Sequence, residues 1–504
     1  MATPMMARLL ARVPLWSFNK HFRRTIAIAF TTLFFVAILQ IQIYRYATTP
    51  PKRAPNEAYY VKTIEDHNEP YTMSTSSSFN PIAFPAGNNM TLKQLCASFP
   101  HHLLDKVQPV LKTGFTDAPG RMLSQMESCS ACFEPGELLI FSDLDDTFQG
   151  HKVIDVLATL PQSYHTFRKF RSYLEQKRLR NSGASPAAFK KIDGWSLDKF
   201  KFIAQVEQAW KLKPDRDFYV FYETDTYVFW DPLLRFLNTL DPDTPLYMGS
   251  ASPGRIDEFG RKTWFANGGP GYVLSRATIK QMLRRRVNSA GQYADPPLAD
   301  RYRDLLNDDE CCGDSALGYV IWESGVQMQS LYPMFSQHPF QYIPYDAMRW
   351  CSPLFSLHKA SFDEMRALFR WEFTTRSNEH ATRHSDVWEF YKPGSEPLRN
   401  NWRNDDRFSH KVDIEGGIAT KDACEAHCKS LDECFMWMWN GDALKECFVS
   451  ERVVIYGQEA EPERVHWKMA NYTSGWIVDK VEKWRDEHKC SDTEWFAHSF
   501  SRIF

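Results

Sequence analysis

FYVFYETDTYVFWDP, residues 218–232, decides how this chain is read. Apolar and aromatic residues run unbroken up to Glu223, the pattern of a strand buried on both faces in a helix-covered parallel sheet. The run ends in two acids, Glu223 and Asp225, with Thr224 between them. In a strand, positions i and i+2 project to the same side. Two carboxylates converging there repel unless a cation lies between them. A hard divalent ion, Mn²⁺ or alternatively Mg²⁺, suits oxygen ligands and leaves positions for phosphate oxygens. Such an ion would neutralise charge on a departing diphosphate. Taken alone, the same acids also fit a solvated loop.

Outward from this stretch, strand and helix patterns alternate. VQPVLKTGF (107–115), ELLIF (137–141) and PLYMGS (245–250) predict strands. Residues 121–127, 166–180, 197–210 and 231–240 predict helices. The alternation implies an α/β domain with a mostly parallel sheet, whose ligand chemistry sits at the carboxyl ends of its strands. A glycine turn follows in TWFANGGPGYVLSR (263–276), where the backbone can approach a ligand or another segment closely. CCGDSALGYVI (311–321) then places Asp314 ahead of an apolar helix, and CSPLFSLHKA (351–360) supplies His358.

This order resembles the inverting glycosyltransferase family that holds fringe, core 1 β-1,3-galactosyltransferase and related fungal and plant proteins. The resemblance spans roughly residues 107–361. It rests on VLKTGF, ELLIFSD, ETDTYVF, FANGGPGYVLS, GDSALGYVI and LFSLHK in that order. It implies a Rossmann-like A-type glycosyltransferase fold and transfer from a UDP-sugar, with inversion, to a glycan or glycoprotein acceptor. By the same resemblance Asp225 would be the main Mn²⁺ ligand, with Glu223 and His358 beside it. Asp314 would be the general base on the acceptor hydroxyl. Nucleotide-sugar contacts would come from Thr113, Arg121, Asp143, Thr224, Gly268 and Gly269. The family's acidic triplet is altered here, because Thr224 cannot be an anionic ligand. His338, between Asp314 and His358, is the alternative imidazole ligand if the register shifts.

A second acidic strand end, ELLIFSDLDDTF (137–148), resembles the first motif of haloacid-dehalogenase phosphatases. That reading makes Asp143 a nucleophile and Asp145 its acid/base partner. It requires the motif on the domain's first strand, yet 107–115 precedes it. It also needs a later lysine and acid pair, for which only Asp308-Asp309, in a polar loop, offers itself. The loop is therefore expected to line the nucleotide pocket.

The remaining chain sets the context. Its 504 residues allow two or three domains. A net charge of −2 gives no global field for nucleic acid. TIAIAFTTLFFVAILQIQIY, from Thr25 to Tyr44, has no charge and follows a basic segment. It predicts an uncleaved signal anchor with a cytoplasmic tail at 1–24 and everything else lumenal. This topology and the enzyme class imply a single-pass type II protein of the Golgi membrane. Residues 45–95 read as a stem and 96–395 as the catalytic domain. Asn89 and Asn471 begin glycosylation triplets, and eleven cysteines fit an oxidising compartment, with at least one left over.

After Pro393 the composition changes. Cys424, Cys428, Cys434 and Cys447 surround FMWMW in a short module at 409–470 that needs covalent staples, followed by a tail at 471–504. It resembles a PAN/apple module, which implies Cys424–Cys447 and Cys428–Cys434 pairs in a small α+β unit. A zinc site with His427 is the competing reading. The module could present a glycan or a lumenal protein partner, or simply pack on the catalytic domain. The alternative for the whole chain is a non-catalytic carbohydrate-binding protein on the same fold.

Overall fold

The computed structural model describes residues 36–37, 40, 70–71 and 90–499, apart from 118, 308, 376–378, 406, 415–417, 461–463, 466–467 and 470. Met1–Ala54 and Pro55–Phe504 separate as two units, and the architecture below belongs to the second. Nearly all of Thr25–Tyr44, the segment expected to be a signal anchor, and Asn89 lie outside the described residues. Among the described residues, no helix is long and apolar enough to cross a membrane.

Eight strands build the main sheet: β1 (Val107–Lys112), β2 (Leu139–Ser142), β3 (Asp146–Phe148), β4 (His151–Asp155), β5 (Phe218–Glu223), β6 (Tyr247–Gly249), β7 (Tyr272–Ser275) and β8 (Gln329–Ser330). Their order is β8-β6-β7-β5-β1-β2-β4-β3. β5, β1, β2 and β4 run parallel, and β8 runs parallel to β6. β7 is antiparallel to both β5 and β6, and β3 is antiparallel to β4. The sheet is thus mixed, with its parallel half on the β1 side.

The unbroken apolar run of β5 follows from burial on both faces. Phe218, Val220 and Tyr222 enter one hydrophobic core, and Tyr219 and Phe221 enter the other. This is the period-two alternation of a strand covered on both sides. Helix Asp198–Leu212 packs with the second core through Phe200, Ile203 and Val206. Helix Trp230–Leu237 packs with the first through Leu233, Leu234 and Phe236.

The predicted strand 107–115 ends at Lys112, and Thr113 to Asp117 form the turn beyond it. In the basic stretch 166–180, residue 166 ends a 3-10 turn (Gln162–Thr166), residues 167–170 bend, and the helix runs over Arg171–Asn181.

Leu398–Asn400, Tyr472–Trp476, Cys434–Asn440, Glu446–Glu451 and Ser409–Lys411 form a separate five-stranded sheet in that order. Leu398–Asn400 and Tyr472–Trp476 lie outside residues 409–470. Cys424–Cys447 and Cys428–Cys434 tie helix Lys421–Ser430 to this sheet. All four cysteines are consumed, so a thiolate zinc site with His427 has no ligands to use. The module does not stand apart from the α/β domain. Tyr345 and Val454 exchange backbone hydrogen bonds of 2.9 and 3.0 Å. Phe435, Met436, Ile455 and Trp476 share a core with Tyr345, Trp350 and Trp388. Cys351–Cys490 adds a covalent link, and Cys96–Cys132 closes the start of the α/β domain. The unpaired cysteine is Cys129, buried beneath Trp230, whose Nε1–H donates to the Cys129 carbonyl at 2.7 Å.

Candidate functional site

The acidic turn after β5 is held by the backbone around it. The buried Gln125 amide donates to the carbonyls of Glu223 (3.0 Å) and Thr226 (2.8 Å), bracketing the turn. Thr226–Val228 then pairs antiparallel with Ser356–His358, in a register that sets His358 opposite Thr226. The Ala360 N–H donates to the Asp225 carbonyl at 3.1 Å. This short ladder brings His358 to Asp225 across 132 residues of sequence (358 − 225 = 133 positions, less one).

His358 Nε2 lies 3.8 Å from Asp225 Oδ1, and Arg121 NH1 lies 3.7 Å from Asp225 Oδ2. Asp225 Oδ1 is buried and has no hydrogen-bond partner. A buried carboxylate oxygen left unmet is costly and signals a group still to be supplied. Burial lowers the His358 pKa against the pull of Asp225, which favours the neutral imidazole with a free lone pair. An unmet hard oxygen beside a neutral imidazole fits a divalent cation.

Glu223 has a different partner. Lys112, buried at the end of β1, pairs with Glu223 Oε1 at 3.0 Å and with the Asp198 carboxylate at 2.5 and 2.6 Å. Burial opposes the Lys112 charge, but Asp198 and Glu223 outweigh it and keep the ammonium protonated. Burial likewise pushes the Glu223 carboxyl upward, against the pull of Lys112. Glu223 is therefore already served by a fixed cation, which leaves Asp225 and His358 as the residues that would hold an ion. Thr224 is buried between the two acids.

The glycine turn closes over this point. A Cβ on Gly269 would stand 2.1 Å from the His358 ring. One on Gly268 would meet Phe202 at 2.8 Å and Glu223 Oε1 at 3.0 Å. No other residue fits without displacing the imidazole. Thr226 Oγ1 donates to the Gly269 carbonyl, locking turn to strand.

Gly268 also reaches the fourth element. Its N–H donates to Asp314 Oδ2 at 2.9 Å, and the Ser315 N–H donates to Asp314 Oδ1 at 2.8 Å. Asp314 sits in the first turn of helix Gly313–Glu323, where the helix dipole favours negative charge. Burial nevertheless raises its pKa, and these two N–H groups offset only part of the rise. A carboxylate that is partly desolvated and more basic than usual is suited to general-base work.

The other sequence-predicted residues fall outside this cluster or inside the protein. Asp143 is fully buried. It accepts from the Phe115 N–H (2.6 Å) and the Gln176 amide (3.0 Å) and lies 3.8 Å from Lys201 Nζ. Its carboxylate is thus used to hold the turn after β1. No nucleophile is presented there, and Asp145 accepts from the Asp155 N–H at 3.0 Å, so the phosphatase reading fails on geometry. Thr113, also buried, donates to Asp117 and offers its carbonyl to Lys201. His338 faces Arg407, and burial followed by that charge lowers its pKa to about 4. No contact links it to Asp225. Asn471 is exposed at a strand start.

Glu310, Cys311 and Cys312 also lie close enough together to suggest an ion site. The two cysteines are joined as a disulfide, so no thiolate is available. Neither of two further cavities touches the cluster. One, about 620 Å³ and open, is lined by Asp145, Asp146, Lys152 and Arg180. The other, about 200 Å³, lies among Leu103, Phe218 and Leu237.

Sequence reasoning missed Lys112, Asp198 and Gln125. Lys112 had a signal: it is the lone charge closing the apolar run VQPVL. Gln125 had none, because its role depends on a contact 98 residues away.

No curated protein matches the chain. The model of the Fringe-like family matches residues 140–340. The match takes in the acidic turn, the glycine turn and Asp314, and stops short of His358. It supports a Fringe-like glycosyltransferase domain over those residues.

Proposed function

We propose that this protein is an inverting glycosyltransferase that moves a sugar from a UDP-sugar to a glycan or glycoprotein hydroxyl. The carrying observation is the convergence of Asp225, His358, Gly268–Gly269 and Asp314 at the carboxyl end of β5, with Asp225 Oδ1 buried and unmet. Asp225 and His358 would hold Mn²⁺, which supplies charge neutralisation for the UDP leaving group when bound. Arg121, half-exposed beside Asp225, adds positive charge for the diphosphate. Asp314 takes the proton from the acceptor hydroxyl as that oxygen attacks the anomeric carbon. The Gly268 and Ser315 N–H groups, one on each carboxylate oxygen, hold the Asp314 carboxylate in place. A β-1,3 linkage, residence in the Golgi membrane as a type II protein, and use of the C-terminal module toward a glycan or lumenal partner complete the reading. Each of these follows from the sequence resemblance and the apolar N-terminal segment.

A second reading, a carbohydrate-binding protein without transfer, draws on one observation. Lys112 engages Glu223, which removes one of two carboxylates from the ion site. Asp314→Asn separates the two readings. The substitution keeps the shape, and its one amide oxygen can accept from either the Gly268 or the Ser315 N–H, not both. It is expected to leave UDP binding intact and to lower transfer by about 10²–10⁴-fold. Equal loss of binding and transfer would make Asp314 structural, and absence of transfer by the unaltered chain with every UDP-sugar would favour the binding protein.

A further inference from the structure

Asp314 is only as well placed as the two residues that precede its helix. Cys311 and Cys312 are bonded to each other, closing a small ring that contains their own peptide link. Gly313 follows at once, packed against Phe202 and Lys199. A Cβ there would meet Phe202 at 2.4 Å and the Lys199 backbone at 2.7 Å.

The residue before the ring is clamped from three sides. Glu310 is buried, and its Oε1 accepts the Cys312 N–H at 3.0 Å. Its other oxygen pairs with Arg255, on the hairpin that runs into the glycine turn. Buried Lys199 donates to the Glu310 carbonyl at 3.1 Å and to the Asn307 carbonyl. The disulfide, the hairpin and helix Asp198–Leu212 therefore converge on the start of the helix that carries Asp314.

Glu310 and Lys199 of this clamp are buried and Arg255 is half-buried, whereas the disulfide reaches the surface. Cys311 is exposed and Cys312 half-buried. Of the other disulfide cysteines, Cys96 and Cys490 are half-buried and the remaining six are buried. The bond nearest the base is thus the one most open to a thiol.

We propose that the Cys311–Cys312 disulfide, braced by Glu310, is the positioning device for Asp314, and that opening it by a dithiol lowers sugar transfer while UDP binding persists. The step is a two-electron exchange. The dithiol gives two electrons and two protons to the S–S bond, leaving two cysteine thiols and the oxidised dithiol. Released from the ring, residues 311–312 regain backbone freedom, and the carboxylate leaves the geometry that proton removal requires. The inference rests on the glycosyltransferase reading of Asp314.

The test compares the full-length chain in three forms: oxidised, mildly treated with a dithiol, and Cys311→Ser/Cys312→Ser. Alkylation and mass spectrometry show which bond opened. Both altered forms are expected to lose about tenfold or more in kcat, with KM for the UDP-sugar within about twofold. The acid limb of the pH profile is expected to shift toward the ordinary aspartate range as water reaches the helix start. The double variant should no longer respond to the dithiol. Glu310→Gln, which keeps the acceptor for Cys312, should retain more kcat than Glu310→Ala. An unchanged kcat and pH profile in the double variant would overturn the proposal. Should the oxidised chain transfer no sugar, the Asp314 carboxyl is titrated by carbon NMR in both forms. Equal values there overturn the positioning role, whereas the missing transfer counts against the glycosyltransferase reading alone.

Discussion

The chain carries two acidic strand ends that look alike and behave oppositely. SDLDD follows β2 and ETDT follows β5, and each delivers a carboxylate from a buried strand. Asp143 is saturated: a backbone N–H, a side-chain amide and a lysine all serve it. Asp225 is not, since its buried Oδ1 has no donor and its nearest neighbours are His358 and Arg121. The first carboxylate is spent on folding, and the second meets a ligand in the function proposed above. Spacing within the motif does not distinguish them, but the census of donors around each oxygen does.

The sharpest way to break this comparison is to remove each acid. Asp225→Ala is expected to abolish Mn²⁺-dependent UDP binding, a loss of two orders of magnitude or more read by calorimetry. It should cost little metal-free stability, because it removes an unmet buried oxygen. Asp143→Ala should do the reverse. It takes the acceptor from the Phe115 N–H and the Gln176 amide and leaves Lys201 with the Thr113 carbonyl but without this carboxylate, at a cost of about 3 kcal/mol in chemical unfolding. If both variants lose stability equally, the two carboxylates are not different in kind.

Lys112→Met sharpens the comparison from the other side. Burial and Asp198 then act on Glu223 without the ammonium that countered them. We expect a loss of about 3 kcal/mol at neutral pH, with partial recovery in mild acid as Glu223 protonates. A variant as stable as the parent at every pH would show the Lys112 triad to be incidental.

The smallest effect is on pH. The Asp314 pKa is raised by burial, so the folded chain holds this proton more tightly than the unfolded chain does. Its contribution to stability is full below the unfolded value of 3.8 and is lost as pH rises through the folded value. Activity runs the opposite way, because the base must be ionised. The acid limb of kcat/KM should lie above the ordinary aspartate range, and a limb at or below 3.8 would contradict the burial of Asp314.

The parts of this molecule that were legible in sequence are those written in local pattern. The apolar run 218–222 announced a strand buried on both faces, and the order of acid, glycines, acid and histidine announced the cluster. What escaped was long-range. Lys112 meets Glu223 only because β1 and β5 lie side by side in a register that pairs them. Gln125 and the Glu310 clamp act through contacts no window reveals. The antiparallel β7, inserted between β5 and β6, was also invisible, since YVLS has the same buried composition as a parallel strand. The fate of the C-terminal module was half-visible. Its cysteine spacing promised staples, but its shared core with Trp350 and Trp388 depends on surfaces that come together only in the fold.

The proposed ion site depends on the unmet oxygen of Asp225. The most direct measurement is the melting temperature of the full-length chain across a panel of UDP-sugars, each with and without Mn²⁺. A ligand that binds only the folded state raises that temperature with occupancy. The expected result is a rise that needs both Mn²⁺ and a UDP-sugar together, and that Asp225→Ala removes. A chain that is well folded yet shows no rise with any pair, or the same rise without the metal, would contradict it.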